Sequence, residues 1–155
     1  PEAVDMPFGT MTGAGVIFGV TGGVTEAVIR RVSTDKSLAS LRNLAFEGVR
    51  GFEGIKELEV PLGDKAIKVC VVNGLRNVEV IMNRMKAGEH FDLIEVMACP
   101  PKATIDEKKE RSVNLYNADK LCTLKRSEEN PLMDKLYEGI LKGREHELLH
   151  VSYVK

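Results

Sequence analysis

The chain has 155 residues, enough for one domain (1–155) with a real hydrophobic core. Lys and Arg number 22 against 23 Asp and Glu, a net charge of -1, so no electrostatic argument draws it to nucleic acid or to an anionic membrane. The composition, 43% hydrophobic and 29% charged, is that of a soluble globular protein, no apolar run approaches a membrane span, and the first residues lack the order of a signal peptide; the expectation is a cytoplasmic protein.

Cys70, Cys99 and Cys122 are far apart and odd in number, which argues for reduced thiols rather than a disulfide framework. The chain opens with Gly9, Gly13, Gly15 and Gly19 in a stretch of few charges, where backbone can approach a ligand or a neighbouring segment closely. From Val24 the spacing of Val24, Ala27, Val28 and Val32 predicts a helix, with Thr21 as its N-cap and Arg30 and Arg31 near its carboxyl end. The N–H groups of Gly22 and Gly23 then point at whatever the glycine loop surrounds and offer a place for an anion. A plain loop-to-helix turn is the competing reading. No Gly-Lys-Ser/Thr follows, so this is no P-loop, and no strand and ribose-binding acid accompany it to make a dinucleotide fingerprint. Glu26 reads as a surface glutamate of this helix, and as a proton carrier only if it is buried.

Residues 33–48 read as a short helix or a covering loop. Ile55 to Leu62 and Ala66 to Val72 predict two strands of a hairpin, turning at Gly63-Asp64-Lys65. Leu75, Val78, Ile81, Met82 and Met85 mark an amphipathic helix stopped by Gly88, and Asp92 to Met97 is a short apolar strand. Strand, helix and strand in this length make a right-handed βαβ unit with 66–72 parallel to 92–96. The fold class is therefore α/β, a small mixed sheet with flanking helices. Cys99 falls just past a strand's carboxyl end, where open α/β sheets place their ligands, and the prolines that follow stiffen it. On spacing alone a buried structural thiol is the stronger reading.

Thr104 with Glu107 predicts a capping box opening a helix to about Asn117. Asn130-Pro131 opens another, with Leu132, Met133, Leu136, Tyr137, Ile140 and Leu141 as its apolar face. His146 and His150 share a helix face, but without a third ligand they read as surface histidines.

Three blocks taken together, Thr12 through Ala27, Val49 through Glu57 and Ile94 through Pro100, closely resemble the carboxyl-terminal lobe of the catalytic subunit of iron-only (FeFe) hydrogenases. The segments Ser127 through Pro131 and His146 through His150 are similar too. The resemblance implies one lobe of a two-lobed domain that interconverts protons, electrons and H2 at an H-cluster, a 4Fe-4S cubane joined to a diiron subcluster. It implies Cys99 as a cubane ligand, Met97 and Phe18 against the diiron site, and Gly19, Gly22 and Gly23 in the loop that cradles it. The partners implied are the amino-terminal lobe and an electron carrier such as ferredoxin or a nicotinamide-linked subunit.

The sequence departs from the family in two respects. Where the family continues from the first cysteine through Gly-Gly to a second, bridging cysteine, Cys99-Pro100 runs directly into Pro101-Lys102-Ala103. The Thr-Ser-Cys and Pro-Cys-x-x-Lys motifs that carry the family's other ligands do not occur here. The isolated lobe is expected to bind no cluster and turn over no hydrogen, and a hydrogenase-like scaffold or redox sensor is the alternative.

Overall fold

The computed structural model describes residues 9–33, 50, 54–62, 64–98 and 104–150. Its centre is a three-stranded mixed sheet of order β1-β2-β3, made of β1 (Ile55–Leu62), β2 (Lys65–Asn73) and β3 (Leu93–Met97). β1 and β2 form the expected antiparallel hairpin, with Ile55 opposite Val72 and Val60 opposite Ile67. β2 and β3 are parallel, from Val69 beside Leu93 to Asn73 beside Met97. The connection between them is a helix, here α3 (Leu75–Lys86), as a parallel pair requires.

Successive side chains of a strand point to opposite faces, and this sheet is covered on both. Val69, Cys70, Val71 and Val72 are fully buried, which only a central strand sandwiched between layers achieves. Val60 and Val69 pack with Ile29 of α2 (Gly23–Val32), and Leu58, Ile67 and Leu93 border that cluster. On the opposite face Cys70 and Val72 pack with Ile81 of α3 and with Phe91. Cys70 is therefore a core residue, and burial pushes its thiol above the usual range.

Around this sandwich lie a short α1 (Gly13–Val16) running into a 3-10 turn (Ile17–Gly19), α4 (Ile105–Leu121), α5 (Pro131–Glu138) and α6 (Glu145–Leu149). The Thr104 capping box is formed: its hydroxyl accepts the N–H of Glu107, and the Glu107 carboxylate accepts the N–H of Thr104. Asn130 caps Leu132 ahead of Pro131, as its position predicts.

Several expectations are corrected. α4 runs on to Leu121, past Asn117, and α5 ends at Glu138, so Ile140 is 72% exposed while Leu141 alone of that pair is buried. In α2 the apolar stripe is only in part the buried face: Ala27 is buried and Val24 and Val32 are half-buried, but Val28 is exposed, and Thr25, Glu26, Ile29 and Arg30 complete the buried side. The N-cap of α2 is Gly22 and not Thr21. Gly22 holds φ +86°, a left-handed conformation natural to glycine, and no side chain of its own caps the helix. Residues 34–49, Gly63 and Cys99 lie outside the described residues.

Candidate functional site

The glycine segment is fixed by its neighbours along its whole length. Gly13 and Ala14 donate their N–H groups to the carbonyls of Leu124 and Lys125 at 2.7 and 3.0 Å, and Gly23 donates to Val20 at 2.9 Å. Asn130 reaches back with its amide to the Thr10 carbonyl, 3.0 Å. A Cβ on Gly23 would collide with the Ile17 carbonyl, and one on Gly13 with the Asp119 carboxylate. Both glycines are thus required by close approach of other groups.

The amino end of α2 does receive an anion, and it is the chain's own. Glu95 of β3, 8% exposed, accepts the N–H of Gly22 through one carboxylate oxygen at 2.8 Å and that of Thr25 through the other at 2.7 Å. Free N–H groups and the positive end of the helix dipole make this a favourable seat for a carboxylate. Glu95 is the functional contact missed in the sequence. The available signal was parity: in a strand whose alternate residues Leu93 and Glu95 share the face toward α2, an acid in an apolar run needs a buried donor.

Behind this contact lies a buried ionic network. Glu26 is fully buried, so the surface reading of it is overturned. Arg30 donates to Glu26 at 2.6 Å and forms a two-pronged contact with Asp119 of α4 at 2.9 and 2.8 Å. Arg50 adds two more donors to Glu26, at 2.9 and 2.8 Å, and its guanidinium lies 3.8 Å from the centre of the Tyr116 ring. Burial alone would lower the Arg30 pKa, but the Asp119 and Glu26 carboxylates outweigh it and hold the guanidinium above its ordinary value. Burial raises the Tyr116 hydroxyl, with Glu26 adding to the effect. The network ties α2 to α4, and Arg126 adds a bond from its Nε to the Arg30 carbonyl at 2.9 Å.

The residues expected at the site fall into two groups. Met97 closes β3 two positions beyond Glu95 on the same face, half-buried, and its carbonyl accepts the Gly74 N–H at 2.9 Å. Phe18 and Gly19 sit in the 3-10 turn just before Gly22 and Gly23, with Phe18 49% exposed. Glu95 therefore joins the strand that carries Met97 to the loop that carries Phe18. A groove of about 490 Å³ opens beside Phe18, lined among others by Met11, Val16, Asn130 and Met133. Met97, Gly22 and Gly23 do not line it. Among the described residues no three metal donors gather, and Cys70 and Cys122 are separate free thiols. The described residues alone do not make the four-thiolate set of an iron-sulfur cluster.

Comparison with known proteins matches the chain in two stretches. Residues 1–101 match the family described as iron only hydrogenase large subunit, C-terminal domain, and residues 105–155 match iron hydrogenase small subunit. The chain is similar to the NADP-reducing hydrogenase subunit HndD of Solidesulfovibrio fructosivorans, 38% identical over 99% of this chain and 29% of that protein. Against the iron hydrogenase of Clostridium pasteurianum it is 36% identical over 97% of this chain and 30% of that protein. An FeFe-hydrogenase structure from Chlamydomonas reinhardtii superposes with a TM-score of 0.61 at 30% identity, covering 99% of this chain and 50% of that one. The chain spans less than a third of the curated relatives it matches and about half of the solved ones. With a family match over residues 1–101 and the same small mixed sheet as its solved neighbours, the chain belongs to the iron-only hydrogenases, as part of the large subunit's carboxyl-terminal domain joined to a small-subunit segment.

Proposed function

We propose that this chain is one lobe of the catalytic domain of an iron-only hydrogenase and forms one wall of an H-cluster whose remaining ligands come from an amino-terminal lobe. The observation that carries the reading is the Glu95 contact. It ties the end of β3, which carries Met97, to the loop of Phe18, Gly19, Gly22 and Gly23, and Cys99 follows Met97 by two residues in the sequence. Those are the segments that the family resemblance assigns to the cluster. Within the proposal Cys99 supplies a thiolate to the 4Fe-4S cubane, and Met97 and Phe18 bound the diiron pocket. A soft thioether and an aromatic ring exclude water and fill space there. The cluster, when bound, supplies the exchange of protons and electrons with H2, and electrons pass to a carrier such as ferredoxin or a nicotinamide-linked subunit.

A second reading, a hydrogenase-like scaffold or redox sensor, is favoured by the direct step from Cys99-Pro100 to Pro101, where the bridging cysteine of the family has no counterpart. The alignment with HndD runs over 169 positions against a chain of 155 residues, so that relative carries more than a dozen residues absent here. Cytoplasmic residence is part of the proposal, on the reduced-thiol reading, although the similar large subunit of Nitratidesulfovibrio vulgaris is named as periplasmic. Iron and acid-labile sulfide per chain, with H2 evolution, measured on the full-length protein and its Cys99→Ser variant, test both readings. Loss of iron and of H2 evolution in the variant supports the enzyme. Iron with no H2 evolution in the parent supports the sensor, and full iron loading in Cys99→Ser rejects the ligand assignment.

A further inference from the structure

The carboxyl-terminal helix carries two imidazoles that the hydrogenase reading does not use. His146 lies within α6 and His150 just past its end; both are exposed, their Nδ1 atoms are 2.6 Å apart, and the ring centroids are 4.7 Å apart with planes crossed at 81°. Packing does not force two solvent-exposed rings together. The four-residue helical spacing converges them. At that separation the two nitrogens share one proton, so one ring donates its Nδ1–H and the other offers a lone pair.

We propose that His146 and His150 form a two-imidazole chelate for a borderline divalent cation of the Zn2+, Ni2+ or Cu2+ class, with water completing the coordination. Imidazole is a good ligand for these ions. An ion about 2.0–2.1 Å from each nitrogen holds neighbouring ligand atoms on the order of 3 Å apart. Opening the 2.6 Å contact to that separation takes a small rotation of exposed side chains. In a neutral pair the donor ring moves its proton from Nδ1 to Nε2 and frees a second lone pair, so no proton is released.

The carboxylates nearby are engaged elsewhere. Glu147 pairs with Arg144 at 2.9 and 3.2 Å, and Glu145 accepts the Gly143 N–H at 3.1 Å. Among the described residues no third His, Cys, Asp or Glu completes a cluster there. The site is thus an open chelate, not a closed structural centre.

The test uses the whole 155-residue chain with accessible thiols blocked by alkylation, titrated calorimetrically with nickel chloride and with zinc chloride. We expect one ion per chain. His146→Ala and His150→Ala should each weaken it at least about tenfold, the loss expected even from disturbing a ligand's support. Glu147→Gln and His90→Ala should leave it unchanged, and the ring resonances of His146 and His150 should move together on addition of zinc. Equal affinity in the histidine variants, or no saturable binding at about millimolar nickel, overturns the proposal.

Discussion

Glu95 and Gly22 are 73 residues apart in sequence and joined by a 2.8 Å hydrogen bond from the Gly22 N–H to the Glu95 carboxylate. A cap usually comes from the residue that precedes the helix. Here it comes from a strand across the sheet, so the cap also sets where the glycine loop stands relative to the end of β3. It fills the place where a phosphate would otherwise sit, which disfavours nucleotide binding at this turn.

Removing the cap should be costly. Glu95→Ala leaves two buried N–H groups without an acceptor, each worth about 1–3 kcal/mol. Glu95→Gln keeps one amide oxygen and should lose less. Urea unfolding gives the order, and amide exchange at Gly22 and Thr25 should accelerate in the alanine variant more than at Val71 in the sheet centre. Equal stability of all three proteins would remove the anchor.

The two glycines of the turn should respond differently to alanine. Gly22→Ala meets the left-handed backbone penalty, about 1–2 kcal/mol. Gly23→Ala must move the Ile17 carbonyl, and with it the 3-10 turn that carries Phe18. We expect Gly23→Ala to cost more and to shift the amide resonances of residues 17–19, which Gly22→Ala should leave in place.

What was legible in the sequence was local. The hairpin register follows from alternating Leu58, Val60 and Leu62 against Ile67 and Val69, and the parallel pairing follows from the length of the βα connection. The caps at Thr104 and Asn130 read directly because donor and acceptor are two or three residues apart. The burial of Glu26 and Arg30 was not legible. Their i,i+4 spacing also suits a surface pair, and what distinguishes the two cases is Asp119, 89 residues further on from Arg30. The ligand role proposed for Cys99 rests only on the family resemblance, since a lone thiol carries no ligand geometry of its own.

That long-range pair makes a contrast with an exposed one. Arg30 touches Glu26 and Asp119 with side chains at most 8% exposed, whereas Arg84 bridges Glu57 and Glu89 with about a third of each side chain exposed. Breaking a buried pair by removing one partner costs about 3–5 kcal/mol. Arg30→Met should therefore destabilise by that amount at low and high salt alike. Arg84→Gln should cost much less, and its effect should shrink at about 1 M salt, where screening is short-ranged. A strong salt dependence for Arg30→Met would mean that water reaches the network.

The Arg84 cluster also sets an acid limit. Hydrogen bonds from Arg84 and Lys68 draw the Glu89 carboxyl down to about 2 from 4.5, and the Arg84 contact lowers Glu57 as well. A carboxylate with a depressed pKa in the folded state favours folding above its unfolded value, and that contribution disappears as pH falls through the folded value. Stability from this cluster is thus complete above about pH 4.5 and fades toward about pH 2. Other carboxylates share the acid limb: Asp92 is lowered by the Lys68 N–H and Glu107 by its own capping box. The comparison that isolates the cluster is wild type against Arg84→Gln, following the urea midpoint from neutral pH downward. The gap between the two proteins should be constant above about pH 5, narrow between about pH 4.5 and 2, and narrow further in high salt. A gap that stays constant through this range would overturn the coupling and assign the Arg84 contribution to its contact with Phe91, whose ring centre lies 5.3 Å from its guanidinium.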